Sequence, residues 1–413
     1  MSKIHSLTIE LQQNGVIREI TDSISAFTIK DSILTGMVEY YLEFLTEKAN
    51  SEELLMFSND AAITLLRISY WRNEIEVTSG WKRLYIIGSR LCYGGAYSLV
   101  KVKAASATVR LKKHEKWKAH ISKSPNFIFS SIAAENGLVY KTVEEGYNQA
   151  DTWYQLAETD WNFLKSVCRE MMPLTGQRFT YPYIDDNTLQ VGPLYLNKPP
   201  IRSYGIGTAD DRAISIEYAW HGKEVDWMGG GVRIAKGFDI LNKEFLESTL
   251  DTSLLPSMSK FLGSPLTEST QFHYYTEQSL PILRNEALMD WIQTASKYFS
   301  ARATLVGDIR LKPGDIVQLR VSDPGGNTSS MNGKYPVYEV CHTYRAVEVY
   351  EDGKKLPEMS ITTHLGGFRR TFEYGGTDTP DGINLSTIRS IDRYTKNKPT
   401  EVEQLVQVAK ELD

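Results

Sequence analysis

Short runs of alternating apolar and polar residues dominate the first hundred residues of this 413-residue chain. In the sequence SLTIEL, the apolar Leu7, Ile9 and Leu11 alternate with polar residues, and QQNG at 12–15 supplies a turn before the next run. Because successive side chains of a strand point to opposite faces, this spacing predicts strands with one buried face. Many such strands joined by turns predict a small antiparallel barrel or sandwich.

A second series of predicted strands lies near the C-terminal end. The stretch 305–326, LVGDIRLKPGDIVQLRVSDPGG, reads as a hairpin about a tight turn, followed by a glycine-rich loop. Pro313 presets φ at the second turn position and Gly314 accepts positive φ at the third, which is typical of a type II turn. We predict Pro313, Gly314 and Gly333 as structural turn residues of a second β unit, to which the alternating strand 213–220 also belongs.

The middle of the chain mixes helices with strands. Apolar spacing predicts a helix over 125–138 that stops at Asn136 and Gly137. The stretch 152–158 reads as a strand, and from Asp160 onward the apolar residues follow one helical stripe. A hairpin is predicted around 185–187. This region is therefore expected to be α+β.

Three further segments complete the sequence-based interpretation. Residues 221–280 contain many Gly, Ser, Thr and Pro residues and are predicted to form long loops with short helices. A helix is predicted at 283–299 from its apolar spacing, and Thr400 with Glu403 forms a capping box that predicts a C-terminal helix. The apolar stripe of that last helix is a candidate partner-docking surface made of Val402, Leu405, Val406 and Ala409.

Together these patterns predict an α+β, β-rich, multidomain chain with two small antiparallel β-barrels and α+β insertions. Several domains are expected because single cores usually stop growing near roughly 250 residues. The predicted domains are a first barrel (1–112), an α+β insertion (113–205), a second barrel (206–222 plus 300–370), a loop and helical insertion (223–299), and a polar tail with the C-terminal helix (371–413).

Composition argues against several functional classes. The formal net charge is −5, so no bulk basic surface is available to attract nucleic acid or an anionic membrane. The cysteines, Cys92, Cys168 and Cys341, lie far apart without a CxxC pair, which argues against a disulfide framework or structural zinc. The sequence shows neither a signal-peptide pattern nor a run of about 18 apolar residues. We therefore expect cytoplasmic synthesis and no membrane insertion by this chain.

Spacings that carry a catalytic mechanism are absent from the sequence, including the phosphate-binding loop, the nucleophile elbow and the HExxH zinc helix. His114, Glu115 and His120 come nearest to a metal site, but six residues do not place two histidines on adjacent helical turns. We interpret this segment as a solvated basic stretch. The glycines at 205–207 and 229–231 read as loop glycines. No catalytic, cofactor-binding or metal-ligating residues, and no cofactor, are predicted.

Three stretches, in their order along the chain, carry a family resemblance. The sequence ISAFTIKDSILTGMVEYYLEFL looks like the strand and loop of the first barrel of contractile-tail hub proteins. A second stretch resembles the strand-then-helix segment of that family, through Trp153–Tyr154, Glu158–Trp161 and Phe163–Met171. The sequences GDIRLKPGDIVQL and NGKYPVYEVCHTY are similar to its second barrel. The chain therefore resembles bacteriophage baseplate hub proteins, which share this module with the spike proteins of type VI secretion systems.

The resemblance covers about residues 1–370 and implies two tube-like barrels in a structural, non-enzymatic protein of the virion. A homotrimer of such chains presents six barrels, which adapts a six-fold tail tube to a three-fold central spike. The implied partners are the chain itself, the central spike protein, the tail tube or tube-initiator protein, baseplate wedge proteins and the tape measure protein. A needle-shaped β-helix is expected on a partner chain. DNA is expected only in transit, since an acidic channel does not retain phosphates.

This reading places the protein in the tail baseplate, assembled in the host cytoplasm. Two alternatives stay open beside it. Asp185–Asp186 and Asp210–Asp211 are adjacent acids, and two carboxylates close in space can cleave a glycosidic bond. A cell-wall-degrading, tail-associated enzyme that uses Asp185, Asp186 or Asp210 is one alternative. A carbohydrate-binding β module is the other.

Overall fold

We analysed the chain as a computed structural model. The structure describes residues 4–33, 35–46, 64–72, 74–94, 97–142, 150–170, 180–193, 199–208, 210–220, 232–239, 244–251, 271–274, 283, 299–329, 331–351, 354–368 and 389–395. Two compact units divide the chain: the first is 1–174, 178–220 and 297–370, and the second is 175–177, 221–296 and 371–413.

The N-terminal part of the first unit is an antiparallel sheet whose strands run in the order β2-β1-β5-β7-β8-β4-β3, with β6 paired to β5. The strands are β1 Ile4–Gln13, β2 Val16–Glu19, β3 Ile24–Ser32, β4 Met37–Thr46, β5 Thr64–Arg72, β6 Ile75–Thr78, β7 Lys82–Gly94 and β8 Tyr97–Ala105. A 3-10 turn, Thr21–Ser23, precedes β3.

One face of this N-terminal sheet packs into a single apolar core. The predicted alternation is present: Leu7, Ile9 and Leu11 are all buried, as alternation of side chains along a strand requires. Among the described residues no ladder joins β1 to β3, the two ends of the six-strand path. The ends are linked instead by hydrogen bonds, since Ile20 N–H donates to the Ile9 carbonyl at 2.8 Å and Ile9 N–H donates to the Thr21 hydroxyl at 2.9 Å.

The C-terminal part of the first unit is a closed six-stranded barrel. Its ladders run in the circular order β21-β20-β14-β15-β19-β22 and back to β21, with β14 parallel to both of its neighbours. The strands are β14 Arg202–Ile206, β15 Asp211–Trp220, β19 Phe299–Val306, β20 Ile316–Val321, β21 Gly333–Glu351 and β22 Lys354–Phe368. The inward side chains form one apolar cluster that includes Leu319, Tyr335 and Val340.

Strand β21 also pairs antiparallel with β3, so the N-terminal sheet continues into the barrel. Phe27 and Tyr344 face each other across this seam with ring centroids 5.2 Å apart. The β-rich class predicted from the sequence is confirmed, and one closed barrel is present. A second closed barrel within residues 1–112 stays a prediction.

The α+β region combines a two-stranded ribbon (β9 with β11), a small sheet in the order β10-β13-β12 and short helices. Its elements are α1 Thr108–Leu111, β9 Glu115–Lys123, α2 Pro125–Glu135, β10 Val139–Thr142, β11 Asp151–Thr159, α3 Asp160–Glu170, β12 Thr180–Asp185 and β13 Thr188–Pro193.

The local predictions for this region are confirmed. Helix α2 begins after Ser124, whose hydroxyl accepts from the Phe127 N–H, and stops where Gly137 adopts φ +64°. Strand β11 passes directly into α3 at Asp160, and Trp161 of that helix is buried in the core of the region. The predicted hairpin is formed by β12 and β13.

The second unit contains a four-stranded sheet in the order β18-β16-β17-β23. Its strands are β16 Val232–Asp239, β17 Glu244–Asp251, β18 Gln271–Tyr274 and β23 Arg389–Thr395. The expectation of loops with short helices is therefore wrong for the described residues between 232 and 274. These strands are short, and β17 pairs with β23, which lies far along the chain. The local sequence pattern was therefore a weak indicator of strands in this region.

Two predicted helices lie almost wholly outside the described residues. Of the segment 283–299, only its two ends are described: Leu283 is helical and buried, whereas Phe299 begins strand β19 and is not part of a helix. The C-terminal helix, with its stripe of Val402, Leu405, Val406 and Ala409, lies entirely outside the described residues.

Candidate functional site

A buried carboxylate, Asp308, sits at the point where the N-terminal sheet and the barrel meet. Its Oδ2 lies 3.2 Å from Arg72 Nη1 and 3.2 Å from Arg202 Nε. Arg310 donates from Nε to Oδ1 at 2.8 Å and from Nη2 to Oδ2 at 3.0 Å, and the Tyr204 hydroxyl donates to Oδ2 at 3.3 Å. One side chain thus joins three arginines and a tyrosine.

These partners come from separate parts of the chain. Arg72 is the last residue of β5, Arg202 and Tyr204 belong to β14, and Arg310 lies in the same loop as Asp308, between β19 and β20. Burial alone would raise the pKa of Asp308, but Arg310, Arg202 and Arg72 outweigh it and hold the pKa below its ordinary value. The carboxylate therefore stays ionised and ties the loop to both β regions.

The backbone of the same loop is fixed by a chain of buried polar groups. Asp308 N–H donates to the Thr363 hydroxyl at 2.8 Å, and Ile309 N–H donates to the Tyr70 hydroxyl at 2.9 Å. His342 lies between Thr363 Oγ1, 3.0 Å from Nδ1, and the Leu311 carbonyl, 3.2 Å from Nε2. Burial lowers the pKa of His342 to about 4, so the ring is neutral near pH 7. Because a carbonyl only accepts, Nε2 carries the proton and Nδ1 accepts from Thr363.

The predicted turn follows in the same loop. Asp315 N–H donates to the Lys312 carbonyl at 3.2 Å across Pro313 and Gly314, and Gly314 has φ +92°. Gly314 N–H also donates to the Val337 carbonyl at 2.8 Å, which docks the turn on β21. Gly333 lies apart from this turn, as the first residue of β21.

The prediction that the stretch 305–326 forms a hairpin is wrong. Strands β19 and β20 flank the loop without pairing to each other: β19 pairs with β15 and β22, whereas β20 pairs with β14 and β21. Residues 307–315 form a loop that makes the buried contacts of Asp308. The two strands on either side of this loop are therefore not adjacent in the barrel.

The tip of the β12–β13 hairpin carries two of the acids considered as catalytic candidates. Asp185 Oδ1 accepts from Lys82 Nζ at 2.8 Å, and Asp185 Oδ2 lies 3.7 Å from Lys312 Nζ. Burial tends to raise the pKa of Asp185, but the hydrogen bond and charge of Lys82 bring it below its ordinary value. Asp186 Oδ1 accepts from the Arg83 backbone N–H at 3.0 Å. Both acids therefore fasten the hairpin tip to its neighbours.

The other acidic pair is also engaged. Asp210 Oδ1 lies 3.5 Å from Arg320 Nη1, and Asp211 Oδ2 lies 3.4 Å from Arg202 Nη1. The structure therefore brings Asp211 toward the Asp308 cluster through Arg202. Asp210 and Asp185 are held by different cations.

The fold does not group His114, Glu115 and His120, the residues that came nearest to a metal-site pattern in the sequence. His120 is buried on β9, where its ring stacks on Phe163 with centroids 5.2 Å apart, and burial lowers its pKa. Glu115 begins the same strand and is exposed, as is His114. Strand β9 begins at Glu115 within this segment, and its side chains other than His120 are exposed or half-buried. In the part of the chain that the structure describes, no group of three His, Cys, Asp or Glu residues is placed to hold a metal ion.

The outer face of the β9–β11 ribbon is apolar and exposed. Trp117 is 77% exposed and lies directly opposite Leu156, which is 59% exposed. Ile121 and Tyr154 extend the same face. Aromatic and aliphatic side chains collected on one exposed surface are typical of an interaction surface rather than of free solvent exposure.

Sequence reasoning missed the Asp308 cluster. One signal was present: Arg72 continues the buried alternation of β5, since Ile68, Tyr70 and Arg72 all face inward. An arginine at a core position requires a buried acid. The acid itself lies 236 positions away, and nothing local to Asp308 identifies it as that partner.

No family model matches the chain, and no curated protein matches it in sequence. Solved structures do match in fold. A tail protein from Neisseria meningitidis MC58 aligns with a TM-score of 0.60 and 11% identity, over 92% of this chain and 99% of that one. The 43 kDa tail protein of prophage MuSo2 from Shewanella oneidensis aligns with a TM-score of 0.57 and 9% identity, over 91% and 99%.

This chain has the fold of a phage tail protein. A chain of the Francisella PdpA–VgrG complex also aligns, with a TM-score of 0.50 and 9% identity, over 88% of this chain and 58% of that one. The resemblance drawn from the sequence is thus confirmed at the level of the fold. None of the helices in the described ranges is long and apolar enough to cross a membrane.

Proposed function

We propose that this chain is the structural hub of a contractile-tail baseplate, a homotrimer that adapts the six-fold tail tube to the three-fold central spike. The observation that carries the proposal is a fold shared with two tail proteins over nine-tenths of the chain. A closed six-stranded barrel joined through β21 to a second, six-strand path supports it. Three copies would then place six β units around one axis.

In this proposal the partners are the chain itself, the central spike protein, the tube or tube-initiator protein, the wedge proteins and the tape measure protein. The proposed tube-like domains are 1–112 and 206–222 plus 300–370, with insertions at 113–205 and 223–299. The segment 371–413 is proposed as a tail whose terminal helix docks a partner. The chain net charge of −5 suits a channel through which DNA passes without binding.

We also propose that the chain is not an enzyme. The ion pairs of Asp185 and the backbone hydrogen bond of Asp186 favour a fastening role over catalysis. The assay is loss of turbidity of purified peptidoglycan. We expect no loss with the wild-type chain, and cleavage that disappears in Asp185→Asn would restore the enzymatic alternative.

The hub proposal is tested by mass and symmetry. The purified chain, mixed with a candidate spike protein from the same genome, is expected to give a complex with three copies of the chain. Negative-stain images should show three-fold rings. A chain that stays monomeric and never joins a spike contradicts the proposal.

A further inference from the structure

A cavity of about 260 Å³ lies in the first unit, between the N-terminal sheet, the β12–β13 hairpin and the loop that follows β19. Its walls combine apolar side chains, among them Ile29, Val38, Leu66 and Ile68, with acidic and basic ones. Asp31, from β3, places a carboxyl group in this lining. A cavity that sets an apolar wall beside a few charged groups can select a ligand of matching chemistry.

Three acids line the cavity, and they differ in their partners. Asp185 pairs with Lys82 and Lys312, and Asp186 accepts from the Arg83 backbone N–H. Asp31 has a long hydrogen bond, 3.5 Å, from the Tyr183 hydroxyl, and no ion pair to it occurs among the described residues. Asp31 therefore lacks the opposite charge that a carboxylate in apolar surroundings requires.

The groups around Asp31 come from every neighbouring element. Burial raises its pKa to about 7; Lys82 opposes the rise, Asp185 adds to it, and Tyr183 and Lys312 oppose it. The lining and nearby charged or titratable groups also include Tyr40, Tyr181, Arg83, Asp186, Arg310 and His342. Lys82 is held by Asp185 at 2.8 Å, and Arg310 is held by Asp308, so neither is positioned on Asp31.

We propose that this cavity binds an aliphatic cation, with its ammonium or guanidinium group on the Asp31 carboxylate and its alkyl chain along Ile29, Val38, Leu66 and Ile68. A free alkylamine and a lysine side chain of a partner protein present the same chemistry. Such a ligand supplies the missing charge and fills the apolar walls at the same time. The inference is independent of the hub proposal, because it concerns a site within one chain.

The test is calorimetric titration of the full chain at pH 8 with two probes, n-butylamine and the peptide acetyl-Gly-Lys-Gly-amide. We expect saturable binding to the wild type and at least about tenfold weaker binding to Asp31→Asn. The matched control is Glu39→Gln on β4, which pairs with Lys103 outside the cavity and should bind as the wild type does. Circular dichroism of both variants checks that each is folded.

The two probes separate the sources of the cation. Binding of n-butylamine without the peptide indicates a small free amine, whereas tighter binding of the peptide indicates a lysine side chain. Absence of saturable heat with both probes overturns the proposal. Equal binding by wild type and Asp31→Asn also overturns it, because the cation would then not lie on that carboxylate.

Proton release gives a second readout that a nonspecific amine effect would not produce. Since the pKa of Asp31 is about 7, cation binding near pH 7 should release about half a proton and much less at pH 9. Titrations in two buffers of different ionisation enthalpy measure this number. A release that does not change with pH, or that persists in Asp31→Asn, contradicts the assignment.

Discussion

At the residue scale, the stability of the first unit depends on Asp308. Removing its charge leaves Arg72, which is 2% exposed, beside two further guanidinium groups without their shared acid. We expect Asp308→Asn to lower the free energy of unfolding by about 3 to 5 kcal/mol. Urea denaturation followed by circular dichroism measures the change.

The matched control is Asp211→Asn, which removes a carboxylate from two of these arginines, Arg72 and Arg202, at a position that is 33% exposed. Its expected cost is at most about 1 kcal/mol, because solvent screens that pair. Equal losses in the two variants would contradict the central role given to Asp308.

A second prediction concerns the contribution of Asp31 to the pH dependence of stability. Its pKa is about 7 in the folded protein against an ordinary value of 3.8, so the folded state holds the proton more tightly. The stabilising contribution of the protonated form is present below about pH 4 and is lost as pH rises through 7. We expect Asp31→Asn to exceed the wild type at pH 8 by on the order of 2 kcal/mol.

The measurement is urea denaturation at pH 4 and pH 8, without added amines. The difference between the two proteins should shrink toward zero at the lower pH. A wild type that equals or exceeds Asp31→Asn in stability at pH 8 would show that the Asp31 carboxyl is not held in an unfavourable environment.

At the scale of elements, the turn at 312–315 predicts a strong substitution effect. Gly314 has φ +92°, which a β-branched residue adopts only at a cost of about 1 to 3 kcal/mol. We expect Gly314→Val to lower the melting temperature and to impair trimer assembly. Gly88→Val is the control, since a Cβ there meets no atom within 4 Å. Assembly at the wild-type level in Gly314→Val would contradict the importance of this turn.

Local patterns predicted the elements whose partners are close in sequence. Helix α2 has its cap at Ser124 and its stop at Gly137, and the passage from β11 to α3 at Asp160 is visible as a change of period. The β12–β13 hairpin was predictable for the same reason. Each of these elements contains its own start and stop signals.

Long-range pairing explains what could not be predicted. Partners in the β21–β3 pair lie more than 300 positions apart, and partners in the β17–β23 pair lie 138 to 150 positions apart, so no local window contains both strands of either pair. The Asp308 cluster likewise draws on β5, β14 and one loop. Only Arg310 lies in the same stretch as Asp308, whereas Arg72, Arg202 and Tyr204 lie far away along the chain, so no local pattern identifies the cluster.

At the scale of the whole molecule, the outer face of the β9–β11 ribbon is the surface that most requires a cover. Trp117, Ile121, Tyr154 and Leu156 are each more than half exposed, and their apolar side chains form one surface of the kind that marks interaction sites. We expect a neighbouring copy to cover this face in the trimer. The double variant Trp117→Ser with Leu156→Ser should lower the trimer fraction in light scattering while leaving the melting temperature nearly unchanged.

Ile214→Ser is the control for that prediction, because Ile214 is 55% exposed on β15, away from the ribbon. It should leave the trimer fraction as in the wild type. A trimer fraction that is the same in the double variant would remove the ribbon from the interface between copies.

The hub proposal requires three copies of this fold to form a ring that carries a spike. Native mass spectrometry of the purified chain with a candidate spike protein measures the stoichiometry, and electron microscopy of the same sample gives the symmetry. We expect a complex with three copies of the chain and images with three-fold symmetry. A complex with one copy per spike, or a chain that remains monomeric beside the spike, would contradict it.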